Sequence, residues 1–253
     1  MVEKLPVTIP ALSGKTERNV YVYIPEVAKK NPKRRFPVLY MFDGHNVFFD
    51  EDATYGKSWG MKKYMDKTRT PMIIVAVECN HGKDYARLKE YSPYNFGYKN
   101  ELRIVGRGET YMDWLIHTLK PITDENYPTL PDRKHTYIAG SSMGGLMSLY
   151  AVLKHNDVFS RAACLSPSLW TQPKKILSLI RTAEVAPDTI VYMDYGENEM
   201  KHRADMKPVY ISAVTELLQR DVQLTARIVP HGEHCEASWE KQLPIFMRIL
   251  NDQ

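Results

Sequence analysis

The chain has 253 residues, 43% of them hydrophobic and 25% charged, with 34 basic against 30 acidic side chains for a net charge of +4. That length suits one large α/β domain with a sizeable core, and so balanced a charge argues against nucleic acid or an anionic membrane as partner. The three cysteines, Cys79, Cys164 and Cys235, are too irregularly spaced for a disulfide framework or zinc knuckle, no apolar run is long enough to cross a bilayer, and MVEKLPVTIPALSGK at the N-terminus lacks an apolar signal core, so the expectation is a cytoplasmic protein.

In chain order, the first predicted strand covers 19–24, where tyrosines alternate with aliphatics. The basic run 29–35 (KKNPKRR) reads as a solvated loop ahead of a nearly continuous apolar strand at 36–42 (FPVLYMF). Further strands are predicted at 72–77, 136–139, 162–165, 190–193 and 224–229, with helices at 59–66, 110–118, 145–155, 175–182, 209–219 and 239–250. Continuous apolar runs, as opposed to alternating ones, indicate strands buried on both faces of a parallel sheet. Their alternation with helices predicts a doubly wound, mostly parallel α/β sheet flanked by helices, as one domain over residues 1–253. Ligands in such sheets bind beyond the carboxyl ends of the strands.

Chemistry concentrates at three of those strand ends. Gly140-Ser141-Ser142-Met143-Gly144 fits G-x-S-x-G between a strand and a helix, the setting of a nucleophile elbow. Ser142 would stand above the sheet near a helix N-terminus that favours developing negative charge. A serine needs a base, and the base a carboxylate to orient it. Both follow in the order serine, acid, histidine that α/β-hydrolases use. Strand 190–193 leads into Asp194-Tyr195-Gly196-Glu197-Asn198-Glu199, and strand 224–229 into Pro230-His231-Gly232-Glu233-His234. His234 lies deeper in its loop than His231 and is the favoured base. Glu199 is the favoured acid, with Glu197 and then Asp194, which still belongs to the strand, as alternatives. The oxyanion hole needs two backbone N–H groups. Met143 offers one, and Gly44 or His45, in the turn after strand 36–42, the other; the His45 ring reads as a wall of the cleft.

Five segments resemble the putative esterase family of α/β-hydrolases: 38–46 (VLYMFDGHN), 87–93 (RLKEYSP), 140–146 (GSSMGGL), 165–170 (LSPSLW) and 232–239 (GEHCEASW). The resemblance runs from Asn19 onward, and the family includes enterochelin-type siderophore esterases, feruloyl and acetyl-xylan esterases, S-formylglutathione hydrolases and mycolyltransferases. It implies the α/β-hydrolase fold, Ser142 as nucleophile, His234 as base and Glu199 as acid. It further implies that Ser166, Ser168 and Trp170 border the cleft. Arg87, Glu90 and Tyr91 would brace its wall, or else Arg87 and Glu90 would form a buried ion pair. Residues 95–108, with Tyr98, would form a loop near the mouth.

The function expected is hydrolysis of a carboxylic ester through an acyl-enzyme, on small or aromatic acyl groups, with a small-molecule ester as partner and no cofactor or metal. Acyl transfer by the same triad and a non-catalytic binding protein on the same scaffold are the alternatives. A metal cluster of His231, His234 and Glu236 is a weaker one, because H-x-x-H here lies in a loop and no distant ligand stands out.

Overall fold

The chain is described here from a computed structural model, over residues 1–98 and 102–251. Among the described residues ten strands form, in chain order: β1 (Val2–Thr8), β2 (Glu17–Tyr23), β3 (Val38–Met41), β4 (Ile73–Val77), β5 (Phe96–Gly97), β6 (Arg103–Ile104), β7 (Thr136–Ser141), β8 (Arg161–Leu165), β9 (Ile190–Gly196) and β10 (Gln223–Val229). The strands with continuous apolar sequence take the centre. Every residue of β3, β4, β7 and β8 is buried, and β3, β4, β7, β8, β9 and β10 pair in parallel. Parallel strands need long crossovers, and the helices Met61–Thr68, Met143–Lys154, Pro173–Thr182 and Met206–Leu218 lie in them.

The main sheet runs β1-β2-β4-β3-β7-β8-β9-β10, with β5 and β6 forming a separate hairpin. From β3 the chain moves one way to β4 and later returns on the other side of β3 to β7. This reversal puts the ends of β3 and β7 side by side, with Met41 opposite Ala139, and opens a crevice where a ligand can enter. Side chains from the two faces feed two cores, Val38 and Tyr40 on one side and Leu39 and Met41 on the other. The helix Met143–Lys154 is buried from Met143 through Leu153, which is why its sequence reads as apolar all round. No helix among the described residues is long and apolar enough to cross a membrane.

All seven predicted strands form in the sheet. The first strand, β1, is an addition: it pairs antiparallel with β2 at the sheet edge, where Pro6 is tolerated because an edge strand needs fewer ladder bonds. The predicted helix at 239–250 is two pieces, Glu236–Glu240 and Leu243–Asn251, so that Pro244 falls in the first turn of the second. Part of the basic run is helical, Glu26–Lys30, and the rest is an exposed turn. Of the predicted mouth loop, residues 99–101 lie outside the described residues.

Candidate active site

Ser142 sits between β7 and the helix Met143–Lys154 with φ 57° and ψ −120°, a conformation an L-residue adopts only when its surroundings impose it. Two backbone bonds do so: its N–H donates to the Leu165 carbonyl at 2.9 Å, and its carbonyl accepts from the Ser168 N–H at 3.0 Å. The strain lifts the hydroxyl into the crevice, where Oγ lies 2.9 Å from His234 Nε2 and 3.4 Å from Ser168 Oγ.

His234 Nδ1 lies 2.6 Å from Glu199 Oε2. The second oxygen of Glu199 accepts the Ser166 hydroxyl at 2.6 Å and the Gly196 N–H at 3.0 Å. Glu199 projects from the first turn of a helix, Glu197–His202, which begins where β9 ends. That helix separates the three candidate acids. Asp194 lies inside β9, buried, and accepts from the Tyr192 hydroxyl at 2.6 Å. Glu197 points outward, accepting the His231 N–H at 3.0 Å and pairing with Lys201 at 2.9 Å. His231 is exposed beside Glu197, away from Ser142.

Two neighbours of this relay escaped sequence reasoning in their roles. Ser166 borders the pocket as expected, but it is almost wholly buried and its hydroxyl also holds Glu199. Trp239 donates its Nε1–H to Ser166 Oγ at 3.0 Å and sets its ring edge-on to His234, 5.0 Å between centroids. The Glu199 carboxylate is thus fixed by a chain running from Trp239 through Ser166. The only available signal was the placement of Ser166 directly after a buried strand.

The predicted oxyanion donors border the two cavities that share Ser142, Met143 on one and His45 on the other. Met143 opens its helix, so its N–H is one that helix geometry leaves unpaired. Gly44 and His45 lie in a tight turn, Gly44–Asn46, that follows Asp43. A Cβ on Gly44 would stand 2.4 Å from the Ala76 carbonyl oxygen, so only glycine lets this turn press onto β4. The turn also packs on the elbow helix, since a Cβ on Gly144 would meet Phe42 Cβ at 2.8 Å and Asp43 Oδ2 at 3.5 Å.

Asp43 anchors the turn. Its two carboxylate oxygens accept Nε and Nη2 of Arg87, both at 2.7 Å, and its N–H donates to the Tyr91 hydroxyl at 3.3 Å. Burial pushes the Asp43 carboxyl up, but the Arg87 guanidinium outweighs this and holds it below its ordinary value. The alternative Arg87–Glu90 ion pair therefore does not form. Glu90 instead takes Arg18, at 2.7 Å and buried on both sides.

Trp170 and Tyr98 stack at 6.2 Å between centroids, and Arg203 lies 5.3 Å over Trp170. With Ser168 they line a pocket of about 370 Å³ that reaches Ser142. On the other side of the serine is a more polar cleft of about 550 Å³ bordered by His45, Asn80 and Arg87. His231, His234 and Glu236 are not brought together as metal ligands: His231 faces Glu197, His234 faces Ser142, and Glu236 accepts from Asn46 at 3.2 Å. All three cysteines are free thiols.

Burial pushes the Asp194 carboxyl up from 3.8 to about 6. The native state therefore holds this proton more tightly than the unfolded chain does. Its contribution favours folding below about pH 4 and is lost as pH rises through about 6. Asp194→Asn is expected to raise stability relative to the parent above about pH 6 while leaving it nearly unchanged near pH 4. Urea unfolding at a series of pH values measures the difference, and identical pH slopes for the two proteins would refute it.

A family model described as Putative esterase matches residues 12–248. The ferri-bacillibactin esterase BesA of Bacillus subtilis is 25% identical over 257 residues, covering 95% of this chain and 85% of that protein. An uncharacterized Bacillus subtilis protein, YbbA, is 22% identical over 175 residues, 68% of this chain and 65% of its own length. Among solved structures, the enterobactin esterase FES of Shigella flexneri superimposes with a TM-score of 0.73 at 18% identity, over all of this chain and 58% of that one. A likeness at that identity carries the fold.

Proposed function

The chain belongs to the putative esterase family and is a carboxylic ester hydrolase, and we propose that it works through an acyl-enzyme on Ser142. One observation carries this reading: Ser142 Oγ, His234 and Glu199 form a continuous hydrogen-bonded line, 2.9 Å and then 2.6 Å long, at the mouth of a crevice. Ser142 Oγ attacks the ester carbonyl carbon while His234 Nε2 takes its proton. Glu199 accepts from Nδ1, fixing the tautomer and stabilising the imidazolium. The oxyanion is met by the N–H groups of Met143 and of Gly44 or His45. Collapse breaks the carbonyl–alkoxy bond, and His234 returns the proton to the departing alcohol. Water, activated by the same histidine, then frees the acid and restores the serine.

The substrate is a small-molecule ester. The aromatic pocket of Tyr98 and Trp170 suits a small or aromatic acyl group, and the polar cleft on the other side of Ser142 suits the alcohol. The names of two relatives, ferri-bacillibactin esterase and enterobactin esterase, support an ester of that kind. An alcohol held in the polar cleft in place of water would turn the same acyl-enzyme into a transferase intermediate.

The triad assignment is tested by two substitutions. Glu199→Gln presents an amide to Nδ1, unsettles the tautomer and should lower kcat by roughly 10⁴-fold, as removing the charge of a triad acid does. Glu197→Gln, on the outer surface, should leave kcat unchanged. The reverse pattern with p-nitrophenyl acetate would transfer the role to Glu197.

A further inference from the structure

Three side chains that the ester reaction does not use converge in the wall of the polar cleft. His45 comes from the turn after β3, and Cys79 and His81 from the loop after β4. One ligand-capable atom from each lies within 4.8 Å of the other two. Cys79 Sγ is 4.0 Å from His81 Nδ1, and the two imidazoles lie 4.7 Å apart between centroids. The Nε2 atom of each ring already has a partner. His45 Nε2 is 3.1 Å from Thr54 Oγ1, and His81 Nε2 is 3.4 Å from the Glu78 carboxylate. His45 Nδ1, by contrast, is buried without any hydrogen-bond partner among the described residues. A buried ring nitrogen left unsatisfied is costly and calls for an occupant. A carboxylate or hydroxyl on one imidazole nitrogen, with the other nitrogen free to ligate, is how metal-binding histidines are oriented.

We propose that His45, Cys79 and His81 bind a thiophilic divalent cation of the Zn²⁺ class, with a fourth position open to the cleft beside Ser142. One sulfur and two imidazoles select zinc or copper over magnesium or calcium. Three protein ligands with a free position is the arrangement of a zinc site that accepts water or a ligand atom. With bonds of about 2.0–2.3 Å, tetrahedral ligands stand roughly 3.3–3.6 Å apart. The present spread of up to 4.8 Å therefore closes by about 1 Å through side-chain rotation. On binding, the Cys79 S–H bond breaks, its proton goes to solvent, and the sulfur electron pair forms the metal bond. The remaining single positive charge faces the Glu78 carboxylate through His81. The ion would occupy the side of the cleft given above to the alcohol.

The test uses the full chain, metal-free and reduced, titrated with Co²⁺ and then Zn²⁺. The expected result is saturation at one equivalent, a thiolate-to-cobalt charge-transfer band with tetrahedral d–d bands, and loss of both as Zn²⁺ displaces Co²⁺. Cys79→Ser should remove the charge-transfer band. His81→Ala, in a loop and with its side chain about half exposed, removes a ligand without touching the core and should weaken binding at least tenfold. Ser142→Ala and His231→Ala should bind as the parent does, which separates this site from the catalytic serine and from surface histidines. Absence of saturable binding in the parent, or a charge-transfer band that survives in Cys79→Ser, would overturn the proposal. Circular dichroism of each variant distinguishes a lost ligand from a lost fold.

Discussion

Ser142→Ala is expected to lower kcat for p-nitrophenyl acetate by roughly 10⁶-fold, the loss seen when the nucleophile of a triad is removed. The size follows from what the hydroxyl alone supplies. Without it there is no acyl-enzyme, and His234 and Glu199 have no proton to move. The oxyanion donors and the pocket survive and should retain roughly 10³–10⁴-fold over water. A fluorophosphonate should label the parent at Ser142 and leave the variant untouched, with peptide mass mapping to locate the adduct. Only the hydroxyl is deleted and the φ of 57° persists, so the melting temperature should move little. Activity within tenfold of the parent, in protein freed of contaminating esterase, would exclude Ser142 as nucleophile.

The second large effect is on stability. Arg87→Met leaves the Asp43 carboxylate, only 5% exposed, without its two-point partner. Breaking a buried ion pair from one side costs about 3–5 kcal/mol, because the remaining charge has neither water nor counter-charge. Arg87 keeps about a third of its side-chain surface, which argues for the lower end. A loss of about 3 kcal/mol lowers Tm by roughly 6–12 °C in a protein of this size. The substitution is asymmetric: Asp43→Asn leaves behind a cation that can reach solvent and should cost less. Arg87→Lys should fall between, since an ammonium cannot grip both oxygens. Thermal and urea unfolding of the three variants gives the order, and an Arg87→Met protein as stable as Asp43→Asn would contradict it. Because Asp43 carries the Gly44–Asn46 turn, kcat should fall in Arg87→Met as well.

Much of the architecture was legible because it rests on local rules. Apolar runs without alternation identified β3, β4, β7 and β8 as central parallel strands, and all four are buried throughout. The exceptions have local reasons. β1 was hidden because an edge strand buries little, and residues 2–8 carry charges and a proline. The break in the last helix was hidden because its two halves keep one apolar rhythm across Lys241 and Gln242.

The site divides the same way. Gly-x-Ser-x-Gly at a strand-to-helix junction and a histidine loop before the last helices are each built from residues adjacent in sequence, so the local geometry of each is determined over a few residues. Alone, the sequence established the sheet, the serine elbow at Ser142 and a short set of candidate partners. It favoured Glu199 but could not exclude Asp194 and Glu197, because a strand turning into a helix redirects each side chain, and only the position of His234 decides which carboxylate is within reach. Nor could it pair Arg87 with Asp43 across 44 residues, or find the support that Trp239 and Ser166 give to the acid. The approach of His45 to Cys79 and His81 was likewise invisible. All of these are contacts between strand ends that the order of the sheet makes adjacent, and the tertiary structure alone specifies which ends meet.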